Sequence, residues 1–332
     1  MTTDTAAPAV DKANRREERV RRIFYWWDRV GILGVLVLLI VVASFASDNF
    51  LSFSNGMDVL RAISINAIIA AGVTMVILTA GIDLSVGSVL AVAGCAGVLL
   101  HVAGMPAFVA VLGGIAAGAL CGLLSGALVA FLVLPSFIVT LGAMTYLRGT
   151  AYALLDGQPL IANDLSYQAL GSSYVSVIPT PVIIMLVVYL VMWFVLERTT
   201  FGRHVYAVGG NPEAARLAGI NVKKTLIWVY TIGGACAGLG GILFSARVLS
   251  AQPNAGQAYE MDAIAAVVLG GTALAGGRGR ILGTLIGAMI IGVLSNVLVL
   301  TNVPYFYQLI IKGAVIVLAI TLDSFRRLGQ AR

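Results

Sequence analysis

Residues 79–88 read TAGIDLSVGS, and how they are read decides the fold. Asp83 sits between Gly81 and Gly87, with Ser85 and Ser88 beside it. The flanks are hydrocarbon-like: VILTA before, VLAVAGCAGVLL after. An ionised Asp at the centre of a membrane helix costs about 2.5–3.5 kcal/mol on insertion scales. Such a residue finds a partner, reaches an interface or lines a wet cavity. The glycines let the backbone break, which lipid tolerates only where protein or water satisfies the freed groups. Two readings stand side by side: a polar feature within or at the edge of a membrane bundle, and an ordinary turn between two spans with Asp83 as a helix N-cap.

Composition makes the membrane the frame for both. Of 332 residues, 59% are hydrophobic and 11% charged, against about 25% charged in soluble domains; mean hydropathy is +0.97. The 38 glycines suit close approach of membrane helices. The net charge of +6 is concentrated in the two termini and a few loops, the pattern that positive-inside orientation produces. No basic face exists apart from these membrane flanks, so nucleic acid is not an expected partner. Cys95, Cys121 and Cys236 lie in apolar runs without CxxC spacing, and His101 and His204 stand alone, so no metal site is expected. No catalytic constellation is visible either, and no enzyme chemistry is read in this chain.

Outward from the decamer, the expected fold is an all-α polytopic membrane protein. Residues 1–29 form a basic arm, KANRREERVRR at 12–22, lying along anionic lipid headgroups; Tyr25, Trp26 and Trp27 fit an interfacial aromatic belt. The membrane domain covers 30–322, with spans at about 30–46, 59–80, 85–103, 107–133, 137–155, 180–197, 225–244, 262–276, 281–300 and 305–322, and a tail at 323–332. The eighth is short for a crossing, which takes about 20 residues, and a re-entrant course stays open for it. In the fourth span Gly114, Gly118, Gly122 and Gly126 repeat at the spacing of a helix–helix contact face.

With the basic N-terminus inside, about ten spans place both termini in the cytoplasm. Segment 156–179, which lacks Lys and Arg, then falls outside, and the basic loop at about 198–224 falls inside with GGRGR (276–280). Arg61 and Arg247 run against this trend.

Inside the basic loop, GGNPEAARLAGINVKK (209–224) carries both signals of a short helix at 211–219. Asn211 is an N-cap, Pro212 suits the first helical position, Glu213 complements the helix dipole and Gly219 suits a left-handed C-terminal cap. So short a helix is unstable alone in water and needs a docking surface, either its own bundle or a groove on a cytoplasmic partner.

At this point a resemblance enters. MVILTAGIDLSVGS (75–88), VGGNPEAARLAGINV (208–222), SAQPNAGQAYEMDAIAAVVLGGTALAGGRGRILGTLIGA (250–288) and YFYQLIIKGAVIVLAI (305–320) resemble the permease subunit of a bacterial ABC-type sugar importer, of the ribose permease branch. The likeness runs from about residue 48 to 320 and implies the ABC importer permease fold in the bacterial inner membrane. It implies ATPase coupling through Asn211, Glu213, Ala214, Ala215 and Gly219, on a partial match to an EAA-type loop. The implied partners are a cytoplasmic ATP-binding subunit, a periplasmic sugar-binding protein, a second copy of the chain and membrane lipid. ATP and magnesium belong to the partner ATPase; no cofactor is expected here. Lys12, Lys223, Lys224 and Lys312 follow Asp11, Val222, Lys223 and Ile311, so no Gly-Lys step of a P-loop exists.

Asn66, Asp83, Ser85, Ser88 and Arg148 are candidates for the translocation path or its gate. Arg148 is read as pairing with Asp83 or another acid, or as snorkelling outward; Lys312 is read in the same way. Thr140, Thr145 and Asn296 are read first as interhelical hydrogen-bonding groups. The competing reading is an ion-coupled secondary carrier with Asp83 as its proton or cation site. A membrane scaffold that transports nothing is a third, against which the broken, Gly-rich spans argue.

Overall fold

A computed structural model describes residues 31–330; the arm at 1–29 and the last two residues lie outside the described part. The helices are α1 (Gly31–Ala46), α2 (Phe53–Leu78), α3 (Val86–Val102), α4 (Ala107–Leu132), α5 (Ser136–Leu154), α6 (Ala169–Ser172), α7 (Thr180–Arg198), α8 (Thr200–Gly210), α9 (Pro212–Leu217), α10 (Val222–Val248), α11 (Tyr259–Leu269), α12 (Ile281–Leu300) and α13 (Tyr305–Gln330). Two short antiparallel ladders complete the order: β1 (Leu160–Ile161) with β4 (Ser250–Ala251), and β2 (Tyr174–Val175) with β3 (Ile178–Pro179).

Each apolar segment read from the sequence holds a helix, and among the described residues five of these (α2, α4, α7, α10 and α12) are long and apolar enough to cross a membrane. α2 and α4, at 26 residues each, are about 39 Å long, against a hydrocarbon core of about 30 Å. The eighth segment departs from expectation. Its helix, α11, begins at Tyr259 rather than 262 and ends at Leu269, 11 residues in all. A turn with left-handed glycines at 271, 276 and 277 then takes over.

α4 shows how lipid shapes the packing. Its inward face is Gly114, Gly118, Gly122 and Gly126, while Phe108, Leu112, Leu120 and Phe131 point outward and are exposed. Large apolar residues outside and small ones inside is the arrangement of a helix solvated by hydrocarbon. The glycine face lies on α10: a Cβ at Gly118 would come within 2.7 Å of the Gly238 Cα, and one at Gly126 within 2.8 Å of the Tyr230 Cβ. The contact face read from the glycine spacing is therefore real, and its partner is the seventh apolar segment.

α2 and α10 form the centre, with α2 buried through most of its length. α3 and α4 pack on one side, α7, α11 and α12 on the other, and α5 lies outside α3. α10 joins the two ends of the bundle, from α9 at one end to β4 at the other. The start of α2 lies at the β end, where Arg61 donates to the Ser172 carbonyl at 3.1 Å and sits 4.5 Å over the Tyr174 ring. Its last carbonyl, on Leu78, accepts from Gly277 N–H at 2.9 Å at the α8–α9 end.

Candidate functional site

The decamer becomes a break of seven residues, 79–85, between α2 and α3. Asp83 is buried, 2% exposed. Its Oδ1 accepts from the Ser85 N–H at 2.8 Å and the Ser85 hydroxyl at 2.6 Å. That is a turn-type cap on the entry to α3, with both Ser85 donors held by one buried carboxyl oxygen. The two backbone groups of Ile82 find partners on α5: Ser136 Oγ accepts from the Ile82 N–H at 3.1 Å, and Thr140 donates to the Ile82 carbonyl at 3.0 Å. Ser88, one turn into α3, donates to the Met144 carbonyl at 2.8 Å. Both readings of Asp83 thus describe one object: a backbone break inside the bundle that the carboxylate holds in shape. Tyr230, fully buried on α10, aims its hydroxyl at the break, where a Cβ on Gly81 would lie 2.6 Å from Tyr230 Oη.

At the α8–α9 end three backbones meet without side chains between them. A Cβ on Gly209 would press on the Leu78 carbonyl and lie 2.7 Å from Gly277 N; one on Gly276 would lie 2.7 Å from Ala80 N. The end of α8, the break and the 276–277 turn therefore form one junction, and α9 hangs from it. The short helix forms as its signals require. Asn211 Oδ1 accepts from the Ala214 N–H at 3.0 Å, Pro212 opens the helix and Gly219 takes φ +85°. Ala215 is buried against the bundle while Asn211, Glu213 and Ala214 are exposed. Glu213 pairs with Arg216 at 2.7 Å in the open. Leu217 is 81% exposed; it is an apolar tip that sequence reasoning passed over, since one Leu in a six-residue helix carries no periodic signal.

Arg148 does not pair with Asp83. Its Nη1 donates to the Pro253 and Ala255 carbonyls, each at 2.7 Å, which ties α5 to the segment between β4 and α11. Asn66 lies on α2 with Oδ1 buried and without a partner among the described residues. Asn296 exchanges hydrogen bonds with Asn55 at 2.9 and 3.2 Å, and Lys312 pairs with Asp262 at 2.9 Å; both are helix-to-helix ties. Thr145 donates to the Leu141 carbonyl of its own helix. Among the described residues no group of His, Cys, Asp or Glu is placed to hold a metal ion.

A bundle of apolar helices, broken inside by a capped turn and joined by that turn to an exposed peg, is the build of a membrane transport subunit. The chain belongs to the family described as branched-chain amino acid transport system / permease component, whose model matches residues 55–320. It is accordingly a multi-pass permease component of the inner membrane. Over 293 residues it is 47% identical to the ribose import permease protein RbsC of Escherichia coli (strain K12), covering 87% of this chain and 91% of that one. It is 45% identical to the protein of the same name from Haemophilus influenzae, with the same coverage, and 36% identical to the D-allose transport system permease protein AlsC of Escherichia coli, covering 94% and 96%. No solved structure matches the chain.

Proposed function

We propose that this chain is the membrane subunit of an ATP-driven importer for a monosaccharide, with ribose or a related pentose or hexose as its solute. The observation that carries the reading is the likeness to permeases named for ribose along 87% of the chain. The geometry supports the same division of labour. The peg at α9 exposes Glu213, Ala214 and Leu217 to a cytoplasmic ATP-binding subunit, and its root touches the intramembrane break, so pressure on the peg reaches the membrane helices directly. About ten spans, counting 252–269 with α11 as one crossing, put both termini and α9 in the cytoplasm and the β1–β4 ladder outside, facing a periplasmic sugar-binding protein. Two copies of the chain enclose the path. ATP and magnesium are held by the ATPase.

The test is uptake of labelled ribose into proteoliposomes containing this chain, its ATPase and its binding protein. Uptake that needs ATP and all three components is expected. Uptake by this chain alone, driven by an ion gradient and abolished by Asp83→Asn, would replace the reading with an ion-coupled carrier.

A further inference from the structure

A second segment leaves helical geometry inside the bundle, and it enters from the opposite end. From β4 the chain runs in extended and turn conformation through 252–258 and starts α11 beside the first turn of α3, not beside its last. The crossing point is Gly87 against Gly256. A Cβ on Gly256 would lie 2.7 Å from the Gly87 carbonyl, and one on Gly87 would strike the Gly256 carbonyl and Glu260 Oε2. Gly256 also needs its freedom, with φ +67°. Glu260 therefore lays its carboxylate on the N-terminal turn of α3, where the helix dipole favours it.

Arg148 is anchored on the Pro253 and Ala255 carbonyls of the segment that leads into Glu260, and the two make no ion pair within 4.0 Å among the described residues. Arg148 is held off by the two loop carbonyls it binds through Nη1, which leaves three of its five N–H donors free. Both groups are half-buried. On the face of α5 that carries Arg148, Thr145 and Tyr152, one turn to either side, are exposed. Asn254 and Gln257 are exposed on the facing segment. A cation and an anion held apart, with hydroxyls, amides and aromatic rims around them, match a neutral polyol. Its hydroxyls donate to the carboxylate and accept from the guanidinium.

We propose that the transported sugar passes along the exposed side of segment 252–260 and that Glu260 and Arg148 contact its hydroxyls there, a proposal that rests on the importer reading above. In the reconstituted complex, Glu260→Gln should lower ribose moved per ATP hydrolysed about tenfold, the loss of roughly one charge-assisted hydrogen bond. Hydrolysis stimulated by the loaded binding protein should stay within about twofold, and Glu260→Asp should recover part of the ratio. A ratio unchanged in Glu260→Gln would overturn the proposal, as would uptake and hydrolysis falling together, or loss of assembly in both variants, because each assigns Glu260 a structural role. Wild-type complex that moves no ribose at all would instead strike at the importer reading itself.

Discussion

Two non-helical segments enter this bundle, one from each end, and they dispose of their polar groups in different ways. In 79–85 the groups face one another: Asp83 binds Ser85, Ser136 and Thr140 serve the two sides of Ile82, and Asp83 and Ser85 are at most 2% exposed. In 252–260 two carbonyls are tied by Arg148, while Asn254 and Gln257 are exposed and Glu260 makes no ion pair among the described residues. A membrane interior tolerates irregular backbone where protein satisfies it or where it lines a wet cavity; the first segment follows the first route, and the proposal above assigns the second to the other. A buried acid in a span is therefore an ambiguous sign. Asp83 maintains a shape, and the polar groups with spare capacity lie elsewhere.

The strongest way to break this comparison is at the crossing itself. Gly87→Val presses on the Gly256 carbonyl, an overpacking cost of about 1–3 kcal/mol applied where 252–258 meets the first turn of α3. Ribose uptake should fall to background, whereas Gly56→Val, with nothing within 4 Å of its Cβ position, should leave it unchanged. Next, Asp83→Leu strips the acceptor from two buried Ser85 donors and should lower thermal stability by about 3 kcal/mol with loss of uptake. Asp83→Asn keeps an acceptor oxygen, so ATP-driven uptake should stay within about threefold of wild type. If Asn proved as damaging as Leu, the charge itself would be in use and the sealed description of 79–85 would be wrong. A smaller effect is expected at the peg, where Leu217→Asp should weaken co-purification of the ATPase about tenfold, near 1.4 kcal/mol, with insertion intact. Smallest is Thr140→Val, which removes one hydrogen bond to the break and should cost about 1 kcal/mol of stability with uptake preserved.

Much of this was legible in the sequence because it rests on local signals. The helices follow from apolar runs, the contact face of α4 (not its partner) from glycines four apart, and α9 from Asn211, Pro212 and Gly219. The position of the break followed from Asp83 and its glycines. What those signals do not carry is which segments cross. Glu260 lies 173 residues along the chain from Gly87, and read alone, QPNAGQAYE looks like a polar connection outside the membrane. Its entry between α3 and α5 depends on Arg148 reaching the Pro253 and Ala255 carbonyls, a contact without sequence periodicity. For the same reason Arg148, read as pairing with Asp83 or another acid or as snorkelling outward, bonds to backbone instead. α8 was passed over because TFGRHVYAVGG (200–210) mixes small, polar and β-branched residues; it is N-capped by Thr199, whose hydroxyl oxygen accepts from the Gly202 N–H at 3.2 Å, and it packs on α7 and α10.

The contrast between the two segments is tested most directly by thiol accessibility in membrane vesicles. Ser85→Cys and Gln257→Cys would each be exposed to a small, water-soluble thiol reagent. Cys95, Cys121 and Cys236 are buried, so background labelling should be low. The account predicts rapid labelling at 257 and protection at 85. Rapid labelling at 85 with protection at 257 would contradict it, and would move the wet path to the Asp83 segment.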